Sequence, residues 1–75
     1  MTTYNGHKNW NHWNVSLWLN NDEVLYRIAA YWDKRRTKQV AAVRILEELQ
    51  LNGFTRTPDG APYTISTVRA ALKGW

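Results

Sequence analysis

The residues in this chain of 75 that could do chemistry are few, and their spacing excludes most of it. His7 and His12 are the only histidines, and cysteine is absent. A metal pair on a helix needs ligands three or four residues apart, on one face. These two are five apart, and no carboxylate precedes Asp22. Neither a metal nor any other cofactor is expected. Asp22 and Glu23 are adjacent, so on a helix they do not face one site together. They read as negative charge at a helix N-terminus, where the dipole favours it. No Ser-His-Asp set and no phosphate loop can be assembled. No catalytic residue is assigned, and an enzyme is not expected.

What remains is charge. Lys and Arg number 10 against 6 Asp and Glu, a net charge of +4. Residues 1–33 hold Lys8 and Arg27 against Asp22, Glu23 and Asp33, a net of −1. Residues 34–75 hold Lys34, Arg35, Arg36, Lys38, Arg44, Arg56, Arg69 and Lys73 against Glu47, Glu48 and Asp59, a net of +5. A basic half of this kind is the electrostatic footprint of a polyanion binder. The plainer reading is a soluble surface.

The candidate contacts cluster near the end of the chain. Ser66-Thr67-Val68-Arg69 opens a short helix, with Ser66 as its cap. Ser66 and Thr67 are candidate phosphate contacts. At a helix N-terminus, hydroxyls and dipole both favour an anion. Arg69 and Lys73 are four apart and share a face. Arg69 stands near the helix start, where a base edge is also in reach. Arg56 extends from the preceding turn. Lys34, Arg35 and Arg36 end a different helix and read as solvated charge.

These residues must be positioned by short elements. Residues 1–9 are polar, with Asn5-Gly6 as a turn signal, and form an irregular lead-in. Trp10, Trp13, Leu17 and Trp18 recur at helical spacing, with Asn9 or Asn11 as cap. Asn20-Asn21 interrupts this helix. Val24, Leu25, Ile28, Tyr31 and Trp32 form the stripe of a second helix, closed by Lys34-Arg35-Arg36. Thr37 caps a third, with Val40, Val43, Ile45, Leu46 and Leu49 inward and Arg44, Glu47, Glu48 and Gln50 in water. Gly53 ends it. Pro58-Asp59-Gly60 is a turn flanked by Thr, Phe and Tyr, which permits a short hairpin over 54–63. Thr67–Lys73 is the last helix, with Val68, Ala71 and Leu72 inward.

The fold class is therefore mainly α: one small domain over 1–75, a bundle of about four short helices with a hairpin-like connection at about 54–63. Residues 10–36 form an aromatic helical half and 37–75 a basic, helix-turn-helix-like half. The tryptophans read as core, with Trp13 and Trp18 packed on Leu25, Ile28 and Leu46. The alternative is an exposed aromatic patch that binds a protein or stacks on bases. Trp75 is either disordered or folded back. With ten aromatics on so short a chain, a homodimer is expected slightly ahead of a monomer. No apolar run approaches the ~18 residues of a membrane span. No signal peptide is legible, so a cytoplasmic protein without a membrane partner is expected.

Two resemblances add to this reading. The stretch Leu51-Asn52-Gly53-Phe54-Thr55-Arg56-Thr57-Pro58-Asp59-Gly60, followed by Tyr63 and by Ser66-Thr67-Val68-Arg69 with Leu72, resembles part of the DNA-binding recombinase domain of large serine recombinases. That resemblance implies DNA contact by Thr64, Ser66, Thr67 and Arg69. The chain has Ala70 where that family often has a second basic residue, and it lacks the catalytic serine domain. The N-terminal stretch Asn9-Trp10-Asn11-His12-Trp13-Asn14, running on to Asp22-Glu23, is similar to small uncharacterised proteins of tailed phages. This implies a phage or prophage origin and a host bacterial cytoplasm. The expected function is a small phage-type DNA-binding regulatory or accessory factor without catalysis. The alternative is a phage-encoded inhibitor of a host protein complex, of the defence or transcription machinery.

Overall fold

The computed structural model describes residues 9–75. The expected lead-in over residues 1–9 lies mostly, and the Asn5-Gly6 turn and His7 wholly, outside the described residues. Four helices follow one another: α1 (Trp10–Asn21), α2 (Glu23–Arg35), α3 (Lys38–Leu51) and α4 (Ile65–Ala71). They form a ring in which α1 packs on α2, α2 on α3, α3 on α4 and α4 back on α1. The protein is a small, mainly α bundle. No helix among the described residues is long and apolar enough to cross a membrane.

Polar side chains set the corners. Asn9 caps α1 by accepting from the His12 amide. Asp22 serves two helices: its amide donates to the Trp18 carbonyl, closing α1, and its carboxylate accepts from the Leu25 amide, opening α2. One residue thus forces a sharp turn between them. Thr37 caps α3, as its position predicts. Gly53 follows α3 with φ of 79°, a conformation that costs other residues the Cβ clash glycine lacks.

The core is made of smaller side chains than the aromatic stripes suggest. Val15, Leu19, Leu25, Ala29, Ala41, Ala42, Ile45, Leu49, Ala61, Tyr63, Val68, Ala71 and Leu72 are buried. Trp13 and Trp18 are half-buried, not central, and Trp10 is exposed. The inward face of α1 is Asn14, Val15 and Leu19. Alanines at 29, 41, 42 and 71 let the short helices approach closely, so the bulky indoles sit at the rim. There an indole keeps its ring on apolar neighbours and its N–H on a polar partner. Trp18, Ile28, Trp32, Leu46 and Trp75 pack around the core, and the Trp18 and Trp32 indoles donate to Asp59 and Glu48. Val24 and Tyr31, expected to face inward on α2, are exposed by about half, and Val40 on α3 is exposed too. Glu48 is not free in water: it is half-buried and accepts from the Trp32 indole at 3.1 Å.

The hairpin-like connection reduces to a single antiparallel bridge, Arg56 with Pro62, and no strand forms among the described residues. Pro62 has no amide to extend a ladder. The turn over 57–61 is closed by Thr57 N–H to the Ala61 carbonyl at 2.8 Å and Gly60 N–H to the Thr57 carbonyl at 2.9 Å. The last helix begins two residues earlier than Thr67 and is capped by Thr64, not Ser66. Thr64 accepts from the Thr67 amide, and the Thr67 hydroxyl accepts from the Thr64 amide, a reciprocal capping box.

Candidate nucleic-acid interface

Every carboxylate of the chain is engaged by its own protein. Asp22 caps α2, Glu23 pairs with Arg27, Asp33 with Lys38 and Glu47 with Arg44. Glu48 holds the Trp32 indole, and Asp59 accepts from Asn14 and Trp18, both at 2.9 Å. Among the described residues, Lys34, Arg35, Arg36, Arg56, Arg69 and Lys73 meet no carboxylate within 4.0 Å. The acidic groups are spent on architecture and the surplus positive charge faces outward.

Two of these uncompensated cations converge. Ser66, Arg69, Ala70 and Lys73 lie on one face of α4 and its closing turn, at spacings of three and four. With Lys38 from the start of α3 they line a shallow depression of about 410 Å³. Arg69 is steadied by a bond to Gln39 of α3. Ser66 Oγ lies 3.0 Å from His12 Nε2, which ties α4 to α1. Lys38 Nζ donates to Asp33 at 2.5 Å and to the Trp75 backbone oxygen at 3.1 Å. Three cations and a hydroxyl around one concavity suit an anion with several acceptor oxygens, as a phosphodiester has.

The other sequence-derived candidates are placed elsewhere. Thr67 is buried, and its hydroxyl also reaches the Pro62 carbonyl at 3.1 Å. Thr64 is the cap itself. Both hydroxyls are therefore engaged in capping α4, although Thr64 itself is exposed. Arg56 donates to the Gly60 carbonyl at 2.9 Å and is not among the residues lining the basic depression. Lys38 was not a candidate on sequence grounds. The only signal for it was its position directly after the cap Thr37, which puts it on the first turn of α3.

Trp75 is folded back. Its ring lies 5.3 Å from that of Tyr26, tilted by 40°, and its backbone oxygen holds Lys38. Tyr26, Trp75, Ala30, Asn20, Asp33 and Lys34 surround a second depression of about 340 Å³.

A second polar cluster, unforeseen in the sequence, joins the 57–61 turn to α1. Asn14, only 1% exposed, accepts from the Thr57 hydroxyl at 2.5 Å and donates to Asp59 at 2.9 Å. The bonds donated to Asp59 by Asn14, the larger cause, and by Trp18 hold its carboxyl below its ordinary range. Burial pushes the Tyr63 phenol up to about 12, with the Asp22 charge adding to it.

Over residues 1–72 the sequence matches a family of unknown function, DUF7249. The chain belongs to that family. The match runs across the aromatic and basic halves alike and ends at Leu72, the buried residue that caps the C-terminus of α4. Trp75 lies outside the matched span. No curated protein and no solved structure matches the chain.

Proposed function

We propose that this protein binds nucleic acid through the depression formed by Lys38, Ser66, Arg69 and Lys73, as a regulatory or accessory factor without catalysis. The observation that carries the reading is the partition of charge. All carboxylates are consumed internally, while Arg69 and Lys73 stand uncompensated on one face of α4. Counterion release on phosphate contact then supplies the affinity. The resemblance of residues 51–72 to the recombinase DNA-binding domain supports DNA as the polyanion. The resemblance of the N-terminal stretch to tailed-phage proteins supports a bacterial cytoplasm as the setting.

Titration of labelled DNA at ~50 mM salt tests this, because even non-specific contacts are strong there. Log affinity should fall linearly with log salt, by about 0.9 per phosphate contacted. Lys73→Ala should flatten that slope by about one. Absence of binding at low salt overturns the reading.

The runner-up is an inhibitor that binds a host protein. One observation favours it: Val24 and Tyr31, two helical turns apart on α2, are both half exposed, 55% and 49%. Retention of a bacterial protein after nuclease treatment, lost in Tyr31→Ser, would move the assignment there.

A further inference from the structure

We propose that the depression lined by Tyr26 and Trp75 takes an unpaired base, so that the nucleic acid bound is single-stranded, with its phosphates on the adjoining basic depression. The proposal rests on the nucleic-acid reading above and narrows it to a substrate class.

Three observations point there. First, the depression is lined by two aromatic rings, 5.3 Å apart at an angle of 40°, together with Ala30, Asn20 and Asp33. Its volume of about 340 Å³ is at the low end of small-ligand pockets, a scale suited to one base rather than to a protein segment. Tyr26 is 48% exposed although it is aromatic and packed on a second ring. Second, Lys34 stands in its lining and meets no carboxylate. An aromatic face beside an uncompensated cation is the pairing used to stack a base and hold its backbone. Third, the aromatic and basic depressions share a wall. Lys38 lines the basic one, and its ammonium bonds Asp33 and Trp75, which line the aromatic one. A strand crossing this wall places a base on one side and phosphates on the other.

A base inside a duplex is stacked on both faces and cannot enter such a depression. An unpaired base can be splayed onto an aromatic side chain. Stacking is tolerant of base identity, since every base has a π-face. The predicted ligand is therefore a single strand with little sequence preference, distinguished from duplex and from a bare phosphodiester chain.

The test compares three labelled probes of equal length at ~50 mM salt: single-stranded DNA, the same strand made abasic, and duplex. Each stacked base contributes about tenfold in affinity. The intact strand should therefore bind about tenfold tighter than the abasic one. Tyr26→Ser and Trp75→Leu should remove that preference and leave the abasic strand's affinity unchanged. Tyr26→Phe should restore it. The Lys38 bond is to the Trp75 backbone, so it survives the side-chain change, and a thermal melt of each variant checks the fold. Lys73→Ala should weaken all three probes alike. Equal affinity for intact and abasic strands, or a preference that persists in Tyr26→Ser, overturns the base-stacking proposal and leaves the nucleic-acid reading standing. No binding of any probe overturns both.

Discussion

The two polar regions of this molecule are built from similar residues and turned to opposite ends. Where the 57–61 turn meets α1, Asn14, Thr57, Asp59 and Trp18 satisfy one another through bonds of 2.5 to 2.9 Å. Around the start of α3 and the face of α4, Lys38, Arg69 and Lys73 gather like charges, with one carboxylate, Asp33, among their partners. The first region is closed: each group's chemistry is consumed by a neighbour. The second is open: Arg69 and Lys73 carry charge that no carboxylate of the described residues meets. Polar residues that complete one another stabilise a fold, and polar residues left incomplete are where a partner should be sought.

That contrast can be broken most sharply at Asn14. Asn14→Ala removes the acceptor of the buried Thr57 hydroxyl and one of two donors to the exposed Asp59. The expected loss is about 3 kcal/mol, since the buried Thr57 hydroxyl loses its acceptor and the missing amide leaves a cavity. In a domain of this size that lowers Tm by roughly 12–24 °C. Thermal unfolding followed by circular dichroism measures it. A Tm shift of only a few degrees would show that the turn is held by its own backbone bonds, and the closed region would not differ from the open one.

The converse change is made in the open region. Arg69→Ala with Lys73→Ala should leave Tm within the range of a surface change, about ±0.5 kcal/mol per site. The same pair should flatten the salt dependence of DNA binding by about two. A large loss of stability without loss of binding would reverse the roles assigned to the two regions.

Helix positions and caps at Thr37 and Gly53 were legible because they follow from local rules: a short hydroxyl or amide before an apolar stripe, a glycine after it. The identity of the core was less so. The stripe Trp10, Trp13, Leu17 and Trp18 is a true helical period, yet the buried face lies one residue on, at Asn14, Val15 and Leu19. Periodicity fixes the spacing of a face but not its rotation toward neighbours. Alanine, which carries little hydrophobic signal, fills buried positions of α2 and α3 at 29, 41 and 42 that the stripes did not mark. Of the site, Arg69, Lys73 and Ser66 were legible as one helical face. Lys38 and Trp75 were not, because they join that face only through tertiary contact between residues 37 positions apart. Asn14 was missed for the same reason: its partners lie more than 40 residues away.

Alkaline titration sharpens the contrast from a third side. The Tyr63 phenol, pushed up to about 12 by burial, loses its proton later in the folded chain than in the unfolded one, where it ionises near 10. Between those values the folded state binds more protons. Stability is therefore present below about pH 10 and declines as pH rises from about 10 to about 12. Tyr63→Phe should remove this decline, measured as the urea midpoint against pH. A decline unchanged in the variant would show that Tyr63 is not its source.

The smallest effect expected is acid titration of the closed region. Asp59 has a carboxyl held below its ordinary range by the donors Asn14 and Trp18. Its folded form therefore stays ionised at a pH where the unfolded carboxyl is already protonated. The stabilisation is complete above the ordinary carboxylate range near 4 and is lost as pH falls through that range to the depressed value. Asp59→Asn keeps an acceptor oxygen for one donor but carries no titrating charge. The variant should be slightly less stable than the parent at neutral pH, and the two should converge in acid. Because the group stands in water, the gap should be a fraction of the Asn14→Ala loss. Asp33 supplies the control: it is another carboxylate with an in-chain partner, Lys38, but it belongs to the open region. Asp33→Asn frees a cation in the basic depression, so it should tighten DNA binding at low salt, whereas Asp59→Asn should not. If both variants change affinity equally, charge is acting over the whole surface, and the two regions are not electrostatically separate.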